Sequence, residues 1–330
     1  MTTDPTYEAR LSTELSNFQQ ITNVHDLPGI CHYWSNKYLL PKIISLGFNS
    51  LEHFFLHYIR KSAEREPSRC ISIVSLGSGN CDFEVDLATK LIASGVPNFR
   101  FTCLEVNKAM LDRGRELAEK RACASVFAFE VSDLNTWTAG EKIDIALAIH
   151  SLHHVVELER LFDQIANSLS SEGSFLVHDM IGRNGHQRWS EAEEVVRRFW
   201  ADLPRRCKFN HQHQRFYDEF VNWDCSTEGF EGIRAQDILP ELIKRFRFEV
   251  FLGFSNVIDV FIDRGFGHNF NPESPADCEF IDRVANEDER LIDTGVLKPT
   301  HILAALRHQV TGSRFYKDLA PEACVRWPRD

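Results

Sequence analysis

The 330-residue chain lacks three features that mark common classes of protein. No apolar run approaches the eighteen or so residues that a membrane helix needs. No cluster of lysine or arginine is present to bind a phosphate backbone, and the formal net charge is -11. The nine cysteines are scattered, odd in number and free of any Cys-x-x-Cys pair. These absences argue against a membrane protein, a nucleic-acid-binding protein and a disulfide framework.

What the chain does contain is typical of a soluble enzyme. Hydrophobic residues make up 43% of it, including 25 Phe, so it can bury a large core. Its start, MTTDPTYEAR, is polar and acidic, and we therefore expect a cytoplasmic protein. His211 and His213 could offer two imidazoles to a metal, but neither has a carboxylate or cysteine at ligand spacing. We read them as a polar loop or a substrate contact, and we expect no metal site.

The segment from Cys70 to Leu91 predicts a strand, a glycine turn and a helix in direct succession. Its first residues, CISIVSL, are apolar enough for a strand that is covered on both faces, as in a parallel sheet. Gly77 and Gly79 follow, and glycine allows the backbone to turn tightly and a ligand to approach the first amides of a helix. The position of a third dinucleotide-binding glycine is occupied by Asp82, so a dinucleotide site fits poorly.

Polar side chains follow the later strands at the same end of the predicted sheet. Glu105 ends the second strand, where a carboxylate can accept both hydroxyls of a ribose. Asp133 and Leu134 follow the third strand, where a side chain and an amide could bind an adenine edge. The fourth strand, in KIDIALAIHSLHHV, runs to His150, and the fifth ends at Asp179. Because parallel strands end at one edge, we expect these groups to form one site.

In this order, the motifs between Cys70 and Asp179 resemble those of the class I S-adenosylmethionine-dependent methyltransferases. The resemblance implies S-adenosylmethionine as cofactor, with the following residues around it: Gly77, Ser78 and Gly79 at the methionine and ribose, Glu105 at the ribose hydroxyls, Asp133 and Leu134 at the adenine, and His150 near the sulfonium. Two positions depart from the family pattern. Ser75 stands where an acidic residue is common, and Cys81 stands where a third glycine is common. Glu84 is either a substitute carboxylate or a solvated charge in the first helical turn.

The resemblance also implies the fold. We expect an α/β protein with a doubly wound seven-stranded sheet in the order 3-2-1-4-5-7-6, whose last strand is antiparallel. We divide the chain into an N-terminal helical cap at 1–66, a methyltransferase domain at 67–310 and a C-terminal tail at 311–330. The domain would carry lid or substrate insertions at about 183–243 and 255–298.

For chemistry, the sequence suggests methyl transfer to a hydroxyl or amine of a small molecule, such as a secondary metabolite or a sugar. A hydroxyl acceptor needs a base, and we assign the catalytic side to His178, Asp179 and His186. His154 is assigned to packing, and Arg188 is either an anion-binding residue or an exposed helix arginine.

Two other functional readings stay open at this stage. One is a different use of the same cofactor, such as an intramolecular displacement that releases methylthioadenosine. The other is a non-catalytic cofactor-binding protein. We expect a small-molecule substrate, with no nucleic-acid or membrane partner. The oligomeric state is left open, a homodimer included.

Overall fold

The computed structural model describes residues 5–19, 27–96, 98–227 and 229–326. Parts of the predicted N-terminal cap and of the predicted C-terminal tail, at 1–4, 20–26 and 327–330, lie outside the described residues. No helix in the described ranges is both long and apolar enough to cross a membrane.

Helices come first, and an alternation of strands and helices follows them. Ahead of the first strand lie α1 (Pro5–Gln19), α2 (Gly29–Trp34), a π-helical turn (Ser35–Leu39), α3 (Leu40–Ser45) and α4 (Leu51–Arg65). The alternating part comprises β1 (Ile71–Leu76), α5 (Asp82–Ala93), β2 (Phe99–Glu105), α6 (Lys108–Lys120), β3 (Phe127–Val131), β4 (Ile143–Ile149), α7 (Leu158–Ser168) and β5 (Leu169–Met180). The rest comprises α8 (Ser190–Ala201), β6 (Phe209–Asn210), β7 (Arg215–Phe216), α9 (Ala235–Arg245), β8 (Arg247–Phe254), α10 (Asp259–Ile262), α11 (Pro275–Asp293), β9 (His301–Arg307) and β10 (Arg314–Phe315).

Within the described residues, the main sheet has the strand order β10-β8-β9-β5-β4-β1-β2-β3. Strand β9 is antiparallel to both of its neighbours, β5 and β8. The predicted doubly wound α/β fold and the order 3-2-1-4-5-7-6 are therefore confirmed, with β8 and β9 as the sixth and seventh strands. The sequence did not predict the eighth strand, β10, which pairs in parallel with the edge strand β8. It lies in the region that we predicted to be an extended tail.

The sheet is buried on both faces, as the continuous apolar runs predict. Because successive residues of a strand point to opposite faces, adjacent positions of β1 belong to different cores. Ile73 packs in the core that contains Phe55 of α4. Val74 packs in the other core, with Leu161 of α7. Helices thus cover both faces, and the ends of the strands are left as the place for a site.

Strand β1 pairs with both β2 and β4, so the chain winds in opposite directions on its two sides. In open α/β sheets, ligands bind outside the carboxyl ends of the strands at such a point. A cavity of about 1190 Å³ opens there. Helix α1 and the segment between β5 and α9, which includes most of the predicted 183–243 insertion, contribute side chains to its lining.

Candidate functional site

The turn after β1 needs glycine because its backbone has positive φ values and because a side chain would clash with a neighbouring loop. Gly77 and Gly79 have φ values of 67° and 54°, which residues with a side chain rarely adopt. A Cβ atom on Gly77 would also lie 2.7 Å from the Cβ atom of Ser151, which follows β4. The turn therefore packs closely against the loop at the end of β4. Gly77, Ser78 and Gly79 all line the cavity.

Glu105 lies at the end of β2, as predicted, and it binds the glycine turn. Its Oε2 accepts a hydrogen bond from the Gly79 amide at 3.1 Å, and its Oε1 accepts one from the Asn107 amide at 2.9 Å. Asn107 in turn caps α6 by accepting from the Ala109 amide. These bonds hold the Glu105 carboxylate at the edge of the cavity, which it lines.

Glu84 is a buried carboxyl group, only 3% exposed, which rules out the solvated charge that the sequence left open. Its Oε1 accepts a hydrogen bond from the hydroxyl of Ser75 at 2.6 Å, and both residues line the cavity. Burial raises the pKa of Glu84 to about 7, although the Ser75 hydrogen bond opposes the shift. A carboxyl from the helix thus lies beside the position where the sequence lacks an acidic residue.

Asp133 has a partner that no sequence motif indicated. The hydroxyl of Tyr7, on α1, donates to Asp133 Oδ2 at 2.6 Å, and the Asn135 side-chain amide donates to the Tyr7 hydroxyl at 2.8 Å. Asp133 Oδ1 accepts from the Asn135 backbone amide at 2.9 Å. Leu134 is nearly buried beside it, and both residues line the cavity. Helix α1 therefore covers the end of the cavity that the motifs assign to adenine.

His150 and His178 lie together at the ends of β4 and β5. The two rings have centroids 4.5 Å apart, and the His150 amide donates to the His178 carbonyl at 2.8 Å. His150 has a φ of 51°, an unusual conformation for a residue with a side chain. The side chain of His150 is exposed to the cavity, and the protein atoms around it lower its pKa, whereas burial lowers the pKa of His178 to about 4. Both rings are therefore neutral near pH 7.

Asp179 is fully enclosed at 0% exposure, and it joins β5 to the loop after β4. One oxygen accepts from the amides of Ser151 and Leu152, both at 2.8 Å. The other lies 2.6 Å from His153 Nδ1. Burial alone would lower the pKa of His153, but the charge of Asp179 and hydrogen bonds to carboxylates raise it to about 10. In the same pair, burial opposes ionisation of Asp179, and the charge of His153 holds the pKa of Asp179 below its usual range.

Beyond Asp179, three histidines surround one carboxylate, and we call them the histidine–glutamate cluster: His153, His154, His186 and Glu231. Glu231 Oε1 lies 2.6 Å from His186 Nε2 and 3.4 Å from His153 Nε2. Glu231 Oε2 lies 3.6 Å from His154 Nε2. The other ring nitrogen of His154 lies 2.6 Å from Glu14 Oε1 on α1. All four members of the cluster line the cavity.

Close backbone contact between two loops brings His186 and Glu231 together. The Gly185 amide donates to the Gly232 carbonyl at 2.9 Å. A Cβ atom on Gly232 would lie 3.0 Å from the Gly185 nitrogen and 3.1 Å from the His186 nitrogen. Gly185, Gly232 and His186 all have positive φ values. Only glycine at position 232 lets the loops approach this closely without displacement.

The structure brings the predicted cofactor residues together around one cavity, and His178 and His186 also line it. Asp179, predicted as catalytic, is enclosed and contacts His153 instead. Sequence reasoning missed Tyr7, Glu14, Asn135 and Glu231. For Glu231 a weak signal exists, because glycines flank it in Gly-Phe-Glu-Gly, as in a tight loop.

Three further candidates from the sequence have local partners. Arg188 is buried, so it is not an exposed helix arginine, and it lies 3.3 Å from Asp259. His211 pairs with Asn269 at 3.0 Å, and His213 pairs with the Tyr217 hydroxyl at 2.6 Å. His211 and His213 therefore contact different partners, and they do not form the metal-binding pair that the sequence allowed.

Comparison with known proteins gives one family match. A family model described as a methyltransferase domain matches residues 68–236, more than half of the chain. No curated protein matches.

Solved structures resemble the chain at low identity. A S-adenosylmethionine-dependent methyltransferase from Geobacter sulfurreducens, in complex with S-adenosylhomocysteine, is 13% identical, with 77% of this chain and 90% of that chain covered and a TM-score of 0.40. A S-adenosylmethionine-dependent methyltransferase from Thiobacillus denitrificans, also in complex with S-adenosylhomocysteine, is 14% identical. The match covers 86% of this chain and 100% of that chain, with a TM-score of 0.41. The [4+2]-cyclase SpnF is 14% identical, and the match covers 76% of this chain and 81% of that chain, with a TM-score of 0.42.

We expect Asp179→Asn to lower the free energy of unfolding by about 3–5 kcal/mol, because it removes one partner of a buried ion pair. Urea denaturation with linear extrapolation measures this loss. The matched control is Asp163→Asn, which removes a carboxylate that is 58% exposed and paired with Arg245, and it should cost about 0–1 kcal/mol. Equal, small losses in both variants would contradict the structural role of Asp179.

Proposed function

The chain belongs to the methyltransferase domain family, as its motifs indicated, and from that premise we propose that it uses S-adenosylmethionine to methylate a hydroxyl or amine of a small molecule. One observation carries the proposal. A single cavity is lined both by the glycine turn with its carboxylates and by the histidine–glutamate cluster. A cofactor and an acceptor can therefore lie next to each other. A cavity of about 1190 Å³ suits a small acceptor beside the cofactor, and the net charge of -11 disfavours a nucleic acid.

The cofactor would lie along the ends of β1, β2 and β3. In the proposed arrangement Glu105 accepts from the ribose hydroxyls, Asp133 and Leu134 bind the adenine, and Gly77, Ser78 and Gly79 approach the ribose and methionine. His150 would lie near the sulfonium. Its lowered pKa supports this, because a neutral ring does not repel a cation.

The charge state of Glu84 bears on whether the methionine part of S-adenosylmethionine fits this end of the cavity. Glu84 is buried against a hydroxyl and has no cationic partner among the described residues. A buried carboxylate without a cation is costly, and its raised pKa expresses that cost. The methionine ammonium would supply the missing charge. We therefore assign to Glu84 the contact that the acidic residue of the family makes from the position of Ser75.

Bound S-adenosylmethionine supplies a methyl group on a positively charged sulfur. A hydroxyl acceptor would have to lose its proton on accepting this methyl group, so the chain's residues would have to assist that loss. The protein's largest contribution is to hold acceptor and methyl in line at near-attack distance and to exclude water. Tyr7, Glu14 and Phe18 of α1 line the cavity and support this covering role.

We propose that His186 and Glu231 activate the acceptor, since their hydrogen-bonded pair lines the cavity beside His150 and His178. His178 lines the cavity too, but its pKa of about 4 makes it a weak base. Asp179 would act as a positioning residue that fixes His153. The three residues assigned to chemistry from the sequence thus take different parts in this proposal.

For cofactor binding, we expect Glu105→Ala to weaken the affinity for S-adenosylhomocysteine by about 1–3 kcal/mol, or roughly 5- to 150-fold, because ribose hydroxyls lose a charged acceptor. Isothermal calorimetry measures the change. Glu130→Ala, an exposed carboxylate on β3, is the control and should leave the affinity unchanged. Equal affinity of the Glu105 variant and the wild type would remove the cofactor assignment.

The pH dependence of cofactor binding tests Glu84. Its pKa is about 7 in the free protein, and the ammonium partner requires the ionised form. As the pH falls below 7, binding must first release the proton, so affinity should decrease by up to roughly tenfold per pH unit. The cofactor's amino group stays protonated in this range, since α-amino groups have pKa values of about 7.7–8.0.

Two variants complete this experiment. Glu84→Gln should bind weakly at pH 8 and lose the slope below pH 7. Asp86→Asn, on the outer face of the same helix and paired with Lys90, should keep the wild-type slope. If the affinity of Glu84→Gln still decreases below pH 7, the pH dependence must come from another group.

For turnover, we expect His186→Ala to lower methyl transfer by roughly 10²- to 10⁴-fold while cofactor affinity stays within a few fold, because acceptor activation belongs to the transition state. Comparing metabolites of cells with and without the active protein, by mass spectrometry, identifies the acceptor as a compound that gains one CH₂. His308→Ala is the control, since this exposed histidine contacts the Leu169 carbonyl away from the cavity. Near-normal turnover in the His186 variant would contradict the assignment, and release of methylthioadenosine would contradict methyl transfer itself.

A further inference from the structure

We infer that His153, His186 and Glu231 bind a divalent transition-metal ion. Each of these residues offers one ligand atom, and the three atoms lie within 4.8 Å of one another. They come from three separate segments: the turn after β4, the loop after β5, and the loop before α9. We expected no metal site from the sequence, where only the pair His211 and His213 was considered. Folding brings together a different set.

The ligand types indicate which ions would bind. Two imidazoles and one carboxylate suit ions such as Zn²⁺ and Fe²⁺, whereas Mg²⁺ and Ca²⁺ prefer oxygen ligands alone. Three protein ligands are also the usual number in catalytic sites, which keep further positions open for water or substrate. All three residues line the cavity, so the open positions would be directed toward it.

A second observation points to a metal, because the surrounding contacts orient His153 as they do in metal sites. Asp179 lies 2.6 Å from His153 Nδ1, which leaves Nε2 directed toward Glu231 at 3.4 Å. Metal-binding histidines almost always donate their other ring N–H to such a partner. Asp179 is itself fixed by the amides of Ser151 and Leu152. The His153 ring is therefore held in one orientation before any ion arrives.

The two remaining ligands are also fixed in advance. The Gly185–Gly232 backbone contact holds the loops of His186 and Glu231 against each other. His186 has a positive φ of 54°, a backbone conformation that the close contact between the two loops holds in place. Small side-chain shifts would suffice to bring three ligand atoms around one ion, because His186 Nε2 and His153 Nε2 both already face Glu231 Oε1.

The role of the ion, unlike its binding, rests on the proposed function. An acceptor oxygen would occupy an open position, and the ion would lower the pKa of the hydroxyl. The proton leaves to solvent, the oxygen forms its bond to the methyl carbon, and the carbon–sulfur bond breaks to give the neutral sulfide. His186 and Glu231 would then activate the acceptor as metal ligands.

The test uses the full chain, free of any affinity tag and treated with a chelator that is then removed. Co²⁺ titration followed by visible absorption reports a protein-bound ion, and Zn²⁺ calorimetry gives affinity and stoichiometry. We expect one equivalent to bind the wild type. His186→Ala and Glu231→Gln should abolish this binding, and Asp179→Asn should weaken it by roughly 10- to 100-fold. His211→Ala should bind as the wild type does.

Circular dichroism and thermal melting show whether each variant is folded, and Glu231→Gln preserves side-chain volume in case His186→Ala is unstable. Absence of one-equivalent binding in the wild type would overturn the inference, as would equal binding in folded His186→Ala and Glu231→Gln. S-adenosylhomocysteine calorimetry on the chelated protein separates the two proposals. Cofactor binding without metal binding would overturn the metal site alone, whereas metal binding without cofactor binding would overturn the proposed function alone.

Discussion

The buried carboxylate of Asp179 is the interaction on which the rest of the site depends. A charge at 0% exposure is tolerated only where hydrogen bonds and an opposite charge compensate for lost hydration. Here the amides of Ser151 and Leu152 and the ring of His153 do so. The turn after β4 is thereby bound to the end of β5. Without this link, His153 would lose the 2.6 Å contact that sets the direction of its ring toward Glu231.

Much of the fold could be predicted because the strands are continuous apolar runs and the motifs follow them in a fixed order. Local details depended on hydrogen bonds that the sequence leaves undetermined. Asn49 and Ser50 are both favourable cap residues, and at the start of α4 it is the hydroxyl of Ser50 that accepts from the His53 amide. The Asn49 amide donates instead to the His53 ring. Adjacent residues with similar capping ability can exchange roles without changing the helix.

The site was predictable only where its residues follow strands. Gly77, Glu105 and Asp133 are placed by the sheet, whose geometry is the same for any sequence that forms it. Glu231 is different, because its position comes from a loop contact 45 residues away from His186, made possible by two glycines. No periodicity encodes such a contact. The identity of Glu84 as a buried group likewise required the structure, since a first-turn glutamate is usually solvated.

Helix α1 contacts residues at both ends of the cavity. Tyr7 contacts Asp133 at the end of the cavity that we propose for the adenine, and Glu14 contacts His154 at the end with the histidine–glutamate cluster. Seven residues of helix span about 10 Å, so one rigid element touches both ends. A ligand at either end that changes how α1 packs must change its packing at the other end as well. Under the proposed function, we therefore expect α1 to couple the affinities for cofactor and acceptor, and any such coupling is reciprocal.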